Sequence, residues 1–104
     1  MRRPEIVKQI KSVISAAAPT AKAILFGSEA RGDAREDSDI DVLVLLNKDH
    51  LTYEDENIVR WPLYQLEINT GVSINPIILS QKSWESRSIR TPFYSNVLKD
   101  GIVL

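Results

Sequence analysis

Apolar residues return every three or four positions near the start of the chain, at Ile6, Ile10, Val13, Ile14 and Ala17. That spacing lays them along one stripe of a helix over residues 4–18, with Pro4 preset for the first turn and Pro19-Thr20 as the stop. The pattern then changes. Ala23-Ile24-Leu25-Phe26 is a short unbroken apolar run, and Ile40-Asp41-Val42-Leu43-Val44-Leu45-Leu46 is a longer one rich in branched side chains. Both predict strands, over 22–26 and 39–46, the second buried on both faces and therefore central. Residues 53–70 predict a helix or a broken helix with Ile58, Leu63 and Leu66 on its buried side and Val59 as a further candidate. Pro62 should kink or restart it, and Gly71 should close it in the left-handed conformation. A third strand is expected over 72–79, helix starts at Ser83-Trp84-Glu85 and Pro92–Leu98, and an apolar tail at Ile102-Val103-Leu104. Trp61 and Trp84 read as core anchors.

This order of elements, helix, strand, short helix, strand, helix, strand, helix, predicts an α/β (α+β) fold. With 104 residues it is expected to be one domain spanning 1–104.

Chemistry concentrates where the first two strands face a turn. Gly27 follows the first apolar run, and a residue without Cβ permits a sharp reversal and a close backbone approach. Ser28 is placed to cap a short helix, whose free amides suit a phosphate oxygen. Arg31 could add a charged fork to the same phosphates. Downstream, Asp39 and Asp41 lie two apart, on one face of a strand and about 7 Å apart at the backbone. Like charges at the mouth of an apolar strand repel unless a cation intervenes, and Asp41 interrupts a run where a lone carboxylate is costly. Mg²⁺ takes carboxylate and phosphate oxygens together. The intervening polar loop, Asp33-Ala34-Arg35-Glu36-Asp37, is expected to be exposed.

Composition removes other chemistries. The chain has no cysteine, which excludes a disulfide framework, a thiolate zinc site and a thiol nucleophile. His50 is the sole histidine and sits in a polar stretch, so it reads as a loop residue and a histidine metal cluster is excluded. A net charge of -1 argues against general nucleic-acid binding. Small basic groups occur near Arg2, Arg3 and Lys8 and near Arg87 and Arg90, and a patch at Arg31 and Arg35 would suit one nucleotide's phosphates. No apolar run approaches the roughly 20 residues that cross a bilayer. The basic start lacks a signal core, so a cytoplasmic protein is expected.

Gly27-Ser28, Arg31-Gly32 and Ser38-Asp39-Ile40-Asp41 together resemble the Gly-Ser…Asp-x-Asp signature of the DNA polymerase beta-like nucleotidyltransferases, and among these the small minimal, MntA-type enzymes. The resemblance implies a small mixed β-sheet with helices packed on it. It implies that Asp39 and Asp41 are the catalytic metal ligands for Mg²⁺, and that Gly27 and Ser28 grip the triphosphate of a nucleotide, ATP. It further implies transfer of AMP to a hydroxyl on a partner protein, with this chain as the antitoxin beside a small helical HEPN-domain toxin. The family's third carboxylate, on a later strand, is replaced by Ser73 or Asn75. That departure leaves a second expectation open, a catalytically weak nucleotide-binding module that neutralises its partner by complex formation. A homodimer through apolar surface near Trp61 and the C-terminus is also compatible.

Overall fold

Strand alternation divides the apolar side chains between two faces of one sheet. The computed structural model describes residues 1–86 and 91–104. Its elements are α1 (Pro4–Ala17), β1 (Lys22–Phe26), α2 (Gly27–Arg31), β2 (Ile40–Leu46), α3 (Tyr53–Thr70), β3 (Ile74–Ser80), α4 (Gln81–Glu85), α5 (Pro92–Asp100) and β4 (Ile102–Val103). Arg87 and Arg90, read above as a basic group, lie outside the described residues.

The sheet is mixed and four-stranded, in the order β3-β2-β1-β4. β1 runs antiparallel to β2 and to β4, while β3 runs parallel to β2. On one face Leu25, Ile40, Val42, Val44 and Leu46 pack against Val7, Ile10 and Ile14 of α1 and Val59, Leu63 and Leu66 of α3. On the other, Ile24, Phe26, Leu43 and Leu45 pack against Trp84 of α4 and Val97 of α5. The expected α/β fold and central strand are therefore observed, and β2 is buried along its apolar length.

Four expectations are corrected. Ile58 is 55% exposed, and the buried side of α3 is Val59, Leu63 and Leu66. The helix runs unbroken through Pro62, because that residue sits beside exposed Ile58 and Trp61, where water can take the carbonyl a proline leaves unpaired. Its start is fixed by a capping box, in which Thr52 accepts from the Asp55 amide and Asp55 accepts from the Thr52 amide. Trp84 is a core anchor, but Trp61 is 59% exposed and stacks at 5.8 Å on Tyr64. The polar loop is not wholly exposed, since Ala34 is buried within it.

The C-terminal residues close the sheet. Ile102 and Val103 pair with Leu25 and Ile24, and the Leu104 amide donates to the Ala23 carbonyl at 2.9 Å. Glu67 accepts from the Ile74 amide at 2.8 Å and ties the end of α3 to the start of β3. Among the described residues no helix is long and apolar enough to cross a membrane.

Candidate active site

Antiparallel pairing brings the end of β1 beside the start of β2, so Phe26 stands opposite Asp41. Parallel pairing on the other side puts Asn75 opposite the same residue. Asp41 shares the strand parity of Leu43 and Leu45, which places its carboxylate on the α4–α5 face. Two neighbours then fix it. The Asn75 amide donates to Asp41 Oδ1 at 3.0 Å. Gly27 lies against the second oxygen: its φ is +76°, and a Cβ built there would overlap Asp41 Oδ2. The Gly-Ser turn and the Asp-x-Asp pair thus meet at one carboxylate.

The other candidates lie around this contact. Gly27 opens α2, and Ser28 is the second residue of that helix. The cap position belongs to Phe26, which is extended and offers no side-chain acceptor, so the expectation that Ser28 caps the helix is corrected. Asp39 is exposed, just before β2. Arg31, also exposed, donates to Asp33 and to Asp100, both at 3.2 Å. The hydrogen bonds it donates to Asp33 and then to Asp100 hold the guanidinium pKa above its ordinary value. Ser73 accepts with its carbonyl from the Ile40 amide, so of the two substitutes for the third acid it is Asn75 whose side chain reaches Asp41.

These donors fit a hard cation. Asp39 and Asp41 are carboxylates of the kind Mg²⁺ accepts, and Gly27 leaves the backbone bare beside Asp41, while Asn75 turns its amide nitrogen rather than its oxygen to that carboxylate. Among the described residues no group of three or more His, Cys, Asp or Glu side chains converges as ligands, so such a site rests on two acids and a neutral neighbour.

One buried group was missed in the sequence. Glu29, in the middle of α2, is fully buried. It accepts from the Arg3 amide and Arg3 Nε, each at 2.7 Å, and from the Arg2 amide. Burial alone would raise its pKa, but the hydrogen bonds from the Arg3 backbone and guanidinium and from the Arg2 backbone outweigh it and hold the carboxyl below its ordinary 4.5. Nothing local signals this partner, since Arg3 is 26 positions away. The one available clue was a glutamate inside a short element between two buried strands.

The sign of that shift predicts acid lability. A carboxyl whose pKa is depressed by folding contributes stability that is complete above its unfolded value and is lost as pH falls through the folded value. Asp55, lowered mainly by its bond from Lys48, acts in the same direction. The urea midpoint should therefore hold steady from neutrality to about pH 5 and drop toward pH 3. A midpoint unchanged over that interval would contradict the buried Glu29 geometry.

A family model for the nucleotidyltransferase domain matches residues 7–102, nearly the whole chain. The chain belongs to the nucleotidyltransferase domain family. It is 40% identical over 83 residues to "Putative protein adenylyltransferase MJ0604" of Methanocaldococcus jannaschii, covering 80% of this chain and 76% of that protein. It superposes with a TM-score of 0.64 and 26% identity on a crystal structure of a toxin–antitoxin with AMP-PNP, covering 92% of this chain and 69% of the other. A solved "putative minimal nucleotidyltransferase" matches over 100% of this chain and 97% of its own, with 29% identity and a TM-score of 0.63. The expected family, fold and enzyme class are thereby established. This nucleotidyltransferase brings its Gly-Ser turn and its central-strand aspartate into contact at the edge of the α4–α5 face.

Proposed function

We propose that this nucleotidyltransferase transfers AMP from ATP to a hydroxyl on a partner protein, as the cytoplasmic antitoxin of a HEPN-type toxin–antitoxin pair. The observation that carries this reading is the Asp41 carboxylate seated between Gly27 and the Asn75 amide. Asp39 and Asp41 would hold Mg²⁺, which supplies charge neutralisation for a triphosphate at that point. Gly27 keeps the backbone bare where phosphate must approach, and the opening amides of α2 with the Ser28 hydroxyl offer it donors. Arg31 adds positive charge at the end of the same short helix, beside the departing pyrophosphate. The acceptor oxygen bonds to the α-phosphorus, the bond to pyrophosphate breaks, and Asp41 receives the hydroxyl proton. Asn75 holds Asp41 in line while this happens.

An adenine nucleotide and a protein acceptor are supported by the relative named as an adenylyltransferase and by the neighbour bearing AMP-PNP. The neighbour is also a toxin–antitoxin, which supports a toxin as the acceptor here. The exposed α3 face, with Tyr53, Trp61 and Tyr64, offers apolar area for that partner or for a second copy of the chain.

A second reading has its own observation. Asn75 stands opposite Asp41 where the resemblance leads one to expect an acid, and an amide adds no charge to a metal site. On that account the protein binds nucleotide and neutralises its partner by complex formation alone. Incubation with α-labelled ATP and Mg²⁺, with and without the protein encoded beside it, separates the two. Label on the neighbour that disappears with Asp41→Asn establishes transfer. A tight complex without label establishes binding.

Asn75→Asp carries a further prediction. The new carboxylate should tighten Mg²⁺ binding and raise transfer, yet cost about 1 kcal/mol of stability in EDTA, where it faces Asp41 uncompensated. Melting curves with and without Mg²⁺ check this, and equal curves would remove Asn75 from the site.

A further inference from the structure

Arg2 and Arg3 do more than begin α1. Their backbone amides and Arg3 Nε converge on Glu29, which is fully buried in the helix that opens with Gly27-Ser28. Their side chains reach the other way. Arg2 Nη1 donates to the Ala34 carbonyl at 3.2 Å, and Arg3 Nη1 approaches the Glu36 carbonyl at 3.5 Å. Both carbonyls belong to the loop that leads into Asp39. That loop is folded on itself, with the Arg35 amide donating to Ser38 Oγ at 2.9 Å and the Ser38 amide to the Arg35 carbonyl at 3.1 Å. Two residues at the chain start therefore bridge the phosphate turn and the carboxylate loop.

We infer that Glu29, with Arg2 and Arg3, is the positioning clamp of the nucleotide site, setting the Gly27-Ser28 turn against the loop that presents Asp39 and Asp41. The inference rests on the functional reading above. Stability alone is a poor explanation for the pair. A buried ion pair recovers its desolvation cost only when its hydrogen-bonding groups are satisfied, and Arg3 Nη2 is buried without a partner among the described residues. Position explains it better: among the described residues, the hydrogen bonds that involve the side chains of Arg2, Arg3 and Glu29 end on α2 or on the loop before Asp39. None of these residues reaches Asp41, so the role is to hold those that do.

Arg3→Ala and Glu29→Gln test this beside Thr52→Ala, which weakens α3 by removing its cap far from the clamp. Arg3→Ala leaves both backbone bonds to Glu29 in place, so it is the variant that should stay folded if Glu29→Gln does not. Two readouts are taken, amide hydrogen exchange in the free protein and AMP-PNP binding with Mg²⁺. Exchange should accelerate together across Gly27–Arg31 and residues 34–39 in the Arg3 variant, and remain as in the unmodified protein there for Thr52→Ala. AMP-PNP affinity should fall about tenfold for Arg3→Ala but hold for Thr52→Ala at matched stability. Unchanged exchange in either segment overturns the clamp. Affinity that follows melting temperature alike in both variants also overturns it, leaving a structural pair. If the unmodified protein fails to bind AMP-PNP, or Asp41→Asn binds it equally, the nucleotide reading falls, and the exchange result alone decides whether turn and loop are coupled.

Discussion

Asp41→Asn will lower nucleotidyl transfer by at least about 10²–10³-fold while leaving the melting temperature within a few degrees of the parent. The substitution removes one negative charge and keeps the shape of the side chain. Its surroundings predict that the fold will tolerate it. Asp41 is only half-buried, it makes no ion pair among the described residues, and the amide oxygen of Asn can still accept from Asn75 Nδ2. The apolar positions that make β2 the centre of the sheet, Val42 to Leu46, are untouched. What the proposed mechanism would lose is a carboxylate to hold Mg²⁺ and to receive the acceptor's proton. Asp39→Asn should act in the same direction. Transfer of label from α-labelled ATP measures the effect, and circular dichroism melting confirms the fold. A variant with parental transfer would remove Asp41 from the chemistry.

The sequence disclosed most about this site where local pattern and chemistry coincided. A charged residue inside an unbroken apolar strand marks itself, because burial without a partner is expensive, and Asp41 was legible for that reason. Gly27 was legible through its place after β1, and the order of helices and strands along the chain through apolar runs and helical periodicity. The pairing partners were another matter. That Asn75, and not Ser73, reaches Asp41 depends on the register between β2 and β3, which no local pattern encodes. Glu29 was hidden for the same reason, since its donors, Arg2 and Arg3, precede α1 and lie 27 and 26 positions away in the chain. On α3 the helical pattern put Ile58 ahead of Val59 for the core, and the structure buries Val59 instead. Trp61 shows the limit of reading aromatic residues as core, because it and Tyr64 form a surface pair instead.

Gly27→Ala will impair both stability and nucleotide binding, and comparison with Gly71→Ala will separate the two effects. Both glycines hold a left-handed backbone, with φ of +76° and +72°, so each alanine carries a similar strain of about 1–2 kcal/mol. Their surroundings differ. Nothing lies within 4 Å of a Cβ at Gly71, whereas one at Gly27 overlaps Asp41 Oδ2. The obstacle is the end of a side chain, so the chain can still fold if Asp41 swings away. Doing so breaks its bond from Asn75, adding about 0.5–1.5 kcal/mol to the loss, and takes the carboxylate out of the phosphate turn. Urea unfolding should therefore show Gly27→Ala to be the less stable of the two. AMP-PNP titration should show at least about a tenfold loss for Gly27→Ala and parental affinity for Gly71→Ala. Equal affinities would mean that the turn and Asp41 do not act on the same ligand. A loss confined to Gly27→Ala would tie the absent side chain of one strand's last turn to the carboxylate of the next, the contact from which the proposed chemistry starts.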